Sequence, residues 1–182
     1  MRWRGMATLL ALVLTGTVAG CADSNGPARD PLGTQGRACQ AVERDNVAAI
    51  LGVHFDTSGF AHTDDTDTCV LEQVGAAYPE LTLAISGTTA DALIFQATLT
   101  PSGATGVPEL GRVAYQLVSP PAGADSGSSL ELGWLSAAPR LVTLRYTFAP
   151  GAADADVAAM NPRLVALAHD IERQVTTGPT LG

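Results

Sequence analysis

Between residues 69 and 148 apolar side chains recur at every second position in several short runs. Cys69 to Val74 reads as one strand. Leu81, Leu83 and Ile85 alternate with Thr82, Ala84 and Ser86. Val113, Tyr115 and Leu117 alternate with Ala114 and Gln116. Leu130, Leu132 and Trp134 alternate with Glu131 and Gly133, and Val142, Leu144, Tyr146 and Phe148 with Thr143, Arg145 and Thr147. This period predicts strands with one apolar face. Tyr78-Pro79-Glu80 and Ala137-Ala138-Pro139 read as turns, and 120–129 as a Gly/Ser/Pro hairpin loop. Short links of this kind predict antiparallel neighbours.

Helical spacing flanks these runs. Near residue 39, Asp45 is placed to cap a short helix carrying Val47, Ile50 and Leu51, with Val42 before it and Gly52 as its stop. Thr88 or Thr89 caps a second helix through Ala97, with Leu93, Ile94 and Ala97 inward; its β-branched residues leave a strand open as the alternative. A closing helix has Asn161 as N-cap and Pro162 at its first helical position, with Asp154 to Met160 as a preceding turn of helix. Its apolar face is Leu164, Leu167, Ala168, Ile171 and Val175, and Arg163, Asp170, Glu172 and Arg173 take the other side. His54 to Thr68 and Pro101 to Pro108 read as loops. The expected fold class is α+β: an antiparallel sheet of about five strands, helices mainly on one face, in the order α-β-β-(α)-β-β-β-α.

The domain is expected over residues 37–176, with a frayed tail at 177–182. What precedes it is different in kind. Arg2 and Arg4 are followed by Leu9, Leu10, Leu12, Val13 and Leu14, and then by Val18-Ala19-Gly20-Cys21. The apolar run is shorter than the roughly 20 residues of a spanning helix. Residues 1–20 are read as a signal peptide, and Cys21, directly behind three small residues, as a lipidation site. More than one acyl chain is needed for stable anchoring, and the bacterial lipoprotein pattern implies a diacylglyceryl thioether. Residues 21–36 read as lipidated cysteine and flexible tether, with a reach of about 20 Å. The expected location is the extracytoplasmic face of the cell membrane.

Charge narrows the partners. The chain carries a net −8, has no lysine, and holds all 18 acidic residues beyond residue 20. Such a surface is repelled by nucleic acid and by anionic lipid, so no nucleic-acid partner is expected. With Cys21 taken by lipid, Cys39 and Cys69 remain. An even pair outside the cytoplasm predicts a disulfide, the alternative being two unpaired buried thiols.

Candidate chemistry is sparse. Asp64, Asp65 and Asp67, with His62 nearby, offer oxygen ligands in what reads as a loop. They lack the glycine and terminal bidentate acid of a calcium loop, so a solvated acidic loop is preferred and no metal is assigned. His54, His62 and His169 have no metal-helix spacing. Ser126, Ser128 and Ser129 lie outside any nucleophile elbow, and without lysine there is no phosphate-binding loop. No cofactor and no catalytic residue are expected. By alternation Gln116, Glu131, Thr143, Arg145 and Thr147 project on the sheet face away from the helices, where Glu131 and Arg145 come close enough to pair. Gln116, Glu131, Thr143 and Arg145 are the candidate ligand-binding residues.

The lipidation box with its polar tether, Cys39 before a short helix ending in Leu51-Gly52, and Cys69 opening a strand together resemble a large group of actinobacterial envelope lipoproteins of unknown function. That group is related to the extracytoplasmic sensor domain of a mycobacterial serine/threonine receptor kinase. The usual Asp-Pro before the first cysteine is Arg37-Ala38 here. The resemblance implies a non-enzymatic domain that binds a small ligand or an envelope protein, with the lipid anchor in the outer leaflet of the plasma membrane. Two other classes stand beside it: a carrier of lipid or another apolar molecule in a helix–sheet cavity, and a hydrolase, which the absent motifs argue against.

Overall fold

The computed structural model describes residues 36–177. The expected signal peptide, Cys21, the tether before Gly36 and the tail beyond Thr177 lie outside the described residues. The chain runs α1 (Arg37–Gln40), α2 (Arg44–Leu51), β1 (Thr57–Thr63), β2 (Thr66–Gln73), β3 (Ala76–Gly87), α3 (Ala92–Ile94) and a π turn (Phe95–Leu99). It continues through β4 (Thr105–Gly106), β5 (Val113–Ser119), β6 (Ser129–Leu135), β7 (Arg140–Thr147) and α4 (Asp154–Thr177). All seven strands form one antiparallel sheet in the order β1-β2-β3-β7-β6-β5-β4. The α+β class is as expected; the sheet has seven strands rather than about five.

The added strands are the ones without apolar alternation. All seven residues of β1 are exposed, so the stretch expected as a loop from His54 to Thr68 gave no periodic signal. Its turn is Asp64-Asp65, with Asp64 in the left-handed region at φ +53°. β4 is two residues long, inside the expected Pro101–Pro108 loop. The reversal expected at Tyr78-Pro79-Glu80 occurs earlier, at Val74-Gly75, and Pro79 lies inside β3. The β2–β3 register jumps from Gln73↔Ala76 to Leu71↔Leu81, and pairing with β7 starts at Glu80. The proline thus occupies the part of β3 that needs no ladder donor.

One face of the sheet carries the core. Leu81, Leu83, Leu130, Leu132, Trp134, Val142 and Leu144 pack there against Val47 and Leu51 of α2 and Leu164, Leu167, Ala168 and Ile171 of α4. Each such side chain contributes on the order of 1.5–3 kcal/mol by leaving water. The layer is filled by side chains of near-zero exposure, among them Trp134, Phe55 and Leu132. Cys39 of α1 and Cys69 of β2 are joined in a disulfide with Cα atoms 5.0 Å apart, pinning the first helix to the sheet.

Two helix starts differ from expectation. In α2 the N-cap is Glu43, which makes no side-chain cap bond, and Asp45 lies in the first turn. α4 begins at Asp154, so Pro162 sits inside it and Asn161 is not its cap. Val157 and Met160 are buried and extend the apolar stripe one turn before the proline. At the other end of α2 the stop is as expected. Gly52 takes φ +72°, its N–H reaches the Ala48 carbonyl, and Arg163 Nη1 of α4 donates to the Leu51 carbonyl at 3.0 Å.

On the expected polar side of α4, Asp170 and Glu172 are only partly exposed. Glu172 Oε2 accepts from Trp134 Nε1 at 2.8 Å. Its Oε1 accepts from Ser136 Oγ at 3.0 Å and from the Ala137 N–H at 2.9 Å. Asp170 accepts from Asn46 Nδ2 of α2 at 2.6 Å. These carboxylates clamp α4 to the β6–β7 turn and to α2.

Candidate binding face

The face away from the core is built mostly of small side chains in register. One row across the strands is Gly59, Val70, Thr82, Arg145, Glu131 and Leu117. The next is Ala61, Thr68, Ala84, Thr143, Gly133 and Tyr115. Glu131, Thr143 and Arg145 are thus brought together as expected. Gln116 is not: it pairs with Leu132 and projects on the helix side, as Ala114 does with Trp134. Alternation separates the two faces of a strand without saying which of them meets the helices. In β5 the apolar face, Val113, Tyr115 and Leu117, is the outer one.

What covers it is Phe95. The segment after β3 forms only a short helix, in which Asp91 caps the Ile94 N–H at 2.9 Å, followed by the π turn. Phe95 is fully buried against Tyr115 and Leu135, while Leu93, Ile94 and Ala97, expected inward, are exposed. The Phe95 and Tyr115 rings lie 5.8 Å apart. This second small core caps the β5–β6 end. Over β2, β3 and β7 the outward Thr68, Thr82, Ala84 and Thr143 remain partly exposed.

Tyr115 is the site residue that sequence reading missed. Its ring lies across Gly133, where a Cβ would fall 2.4 Å from the ring carbons. The glycine between Leu132 and Trp134 was the available signal: a strand glycine marks a close approach. From there the Tyr115 hydroxyl donates to Glu131 Oε1 at 2.9 Å. Glu131 Oε2 accepts from Arg145 Nε at 2.9 Å and also from Arg145 Nη2. The Glu131 side chain is 10% exposed and that of Arg145 54%. A carboxylate buried under a tyrosine therefore holds a guanidinium whose outer edge faces water, beside the Thr82 and Thr143 hydroxyls. Such a fork presents planar N–H donors to a carbonyl or carboxylate.

No family model, curated protein or solved structure matches the chain.

The other candidates are dispersed. His62 Nδ1 lies 2.7 Å from Asp67 Oδ1 across the β1–β2 ladder, and Asp64 and Asp65 form the exposed turn. His54 lies 3.6 Å from Asp56, and His169 is half-buried on α4. Among the described residues no three His, Cys, Asp or Glu converge as metal ligands. A shallow depression of about 400 Å³ at 106–114 is lined by one acid and one base, Glu109 and Arg112. Arg112 Nε is taken up by the Ser136 carbonyl at 3.0 Å.

Two phenols make the fold sensitive to alkali. Burial, and then the bond to Glu131, push the Tyr115 phenol well above the usual tyrosine range. Burial pushes Tyr146 up to about 12. The folded chain keeps both protons where an unfolded tyrosine releases them. Their contribution to stability is therefore constant below pH about 10 and falls as pH rises beyond it, by up to about 1.4 kcal/mol per pH unit for each tyrosine. Urea midpoints followed from pH about 8 to about 11 should show this slope, and Tyr115→Phe should remove roughly half of it.

Proposed function

We propose that the protein is a lipid-anchored binding module of the cell envelope, tethered through Cys21 to the outer leaflet, which receives a polar ligand or the edge of a partner protein on the open sheet face. The observation that carries the binding role is Arg145, held by the buried Glu131 with its free edge outward. A rigidly held guanidinium loses little side-chain freedom on binding, which lowers the cost of association. The face around it carries Thr68, Thr82 and Thr143 among small side chains, so it suits hydrogen bonding more than burial of an apolar molecule.

The Cys39–Cys69 disulfide supports the extracytoplasmic address, since such bonds persist in oxidising compartments. The resemblance to envelope lipoproteins and a receptor-kinase sensor domain points the same way. The tether would confine the domain near the membrane and raise its effective concentration there. The reading is non-enzymatic, with Arg145 as a binding group.

The test uses intact cells producing the full-length chain. The cellular product should gain acyl mass at Cys21 and partition with membranes, and Cys21→Ser should do neither. A photo-crosslinker at Thr143 should capture a product that Arg145→Ala reduces about tenfold, the loss expected for about 1.4 kcal/mol. A wild-type product without acyl mass refutes the anchor. Capture unchanged by Arg145→Ala refutes the binding face.

A further inference from the structure

A second surface lies at the edge of the sheet. Among the described residues β1 is paired on one side only, with β2. Its ladder runs without a shift from Thr57↔Glu72 to Thr63↔Thr66, so the strand is regular along all seven residues. Folded proteins usually blunt such an edge with lysine, proline, a bulge or a covering element. β1 contains neither lysine nor proline, and every residue in it is exposed. Gly59 has open space where a side chain would be. Phe60, on the helix side of the strand, is 46% exposed.

The charges around this edge select the partner. The exposed Asp64-Asp65 turn closes one end. Asp56 stands at the other, where it contacts His54, and Arg44 donates to its carbonyl oxygen. A second copy is disfavoured: an antiparallel two-fold centred on Phe60 would set Asp64 against Asp56 in a chain of net charge −8. We propose that the β1 edge receives an extended cationic segment of another protein as an eighth strand. Its backbone completes the ladder, one of its side chains covers Phe60, and its basic residues lie beside Asp64 and Asp65. This is strand addition, in which main-chain bonds give affinity and end charges give orientation. It does not depend on lipidation or on Arg145.

The experiment follows amide hydrogen exchange in the purified full-length chain. The probe is a peptide of about nine residues, alternating valine and threonine, with two lysines at one end; a control carries two glutamates instead. The lysine peptide should slow exchange across Thr57–Thr63, with the effect fading at about 0.5 M salt, and the glutamate peptide should not. Gly59→Lys, and independently Asp64→Asn with Asp65→Asn, should each weaken binding about tenfold; the second pair leaves the strand itself untouched. The proposal is overturned if these amides do not respond, if both peptides act alike, or if both variants bind as wild type does. It is also overturned if sedimentation without peptide shows a dimer that Gly59→Lys abolishes, which would assign the edge to a second copy.

Discussion

Replacement of both Cys39 and Cys69 by alanine is expected to lower the unfolding free energy by about 3–4 kcal/mol. The bond closes a loop of sequence separation 30, and the chain-entropy cost of leaving that loop open in the unfolded state supplies this figure. The loss should concentrate in one place. α1 is only four residues long, too short to persist alone, and it reaches β2 through Cys39. Without the bond, amides of α1 and of the neighbouring β1 should exchange faster than those of β6 and β7. Urea unfolding of the oxidised chain, the reduced chain and the double variant checks the size. A difference below about 1 kcal/mol would mean that α1 is held by packing alone.

Truncation of Glu172 to alanine is the second large effect, an expected loss of about 2–4 kcal/mol. One carboxylate serves three donors, and one of them, Trp134 Nε1, belongs to a fully buried ring. Removing the acceptor leaves that N–H unpaired in the core, which costs more than the bond itself gains. Glu172→Gln keeps one acceptor oxygen and should lose about half as much. The measurement is direct, because the only other tryptophan, Trp3, lies in the expected leader. Fluorescence of a chain lacking residues 1–20 would follow Trp134 alone. An unchanged denaturation midpoint in Glu172→Ala would show that the clamp is dispensable.

Glu172 also shows where reading a sequence stops. By helical spacing it belongs to the polar side of α4, and by chemistry it is an ordinary surface acid. Only the arrival of the β6–β7 turn converts it into a half-buried acceptor of three bonds. Arg163 and Asp170 likewise find partners on α2, the Leu51 carbonyl and the Asn46 amide. The apolar faces of β3, β6, β7 and α4 were legible because burial on one side imposes a period. β1 was not, because nothing in it is buried deeply enough to set one. In β5 the period was correct and the direction was not: Phe95 made a second small core on the far face, and a single phenylalanine among Leu93, Ile94 and Ala97 does not announce that. Of the site, the Glu131–Arg145 pair could be foreseen from strands joined by a short turn. For Tyr115 the strand glycine Gly133 hinted at a close approach, but nothing in the sequence says which ring fills the space it leaves.

The seam between β3 and β7 governs how this sheet is completed. β1 to β3 and β4 to β7 are each sequential hairpin runs, and in the sheet order they meet at that one ladder. There Leu83 faces Leu144, about 60 residues later. A chain emerging amino end first therefore finishes its opening three-stranded unit with Leu81, Leu83 and Ile85 on a strand whose free side has no neighbour until β7 arrives. Contacts of such long separation form slowly, and an apolar strand left waiting is a place where nascent chains aggregate. Synthesis of this protein should accordingly be most vulnerable in the interval between β3 and β7, when a chaperone that shields extended apolar segments would have its greatest effect.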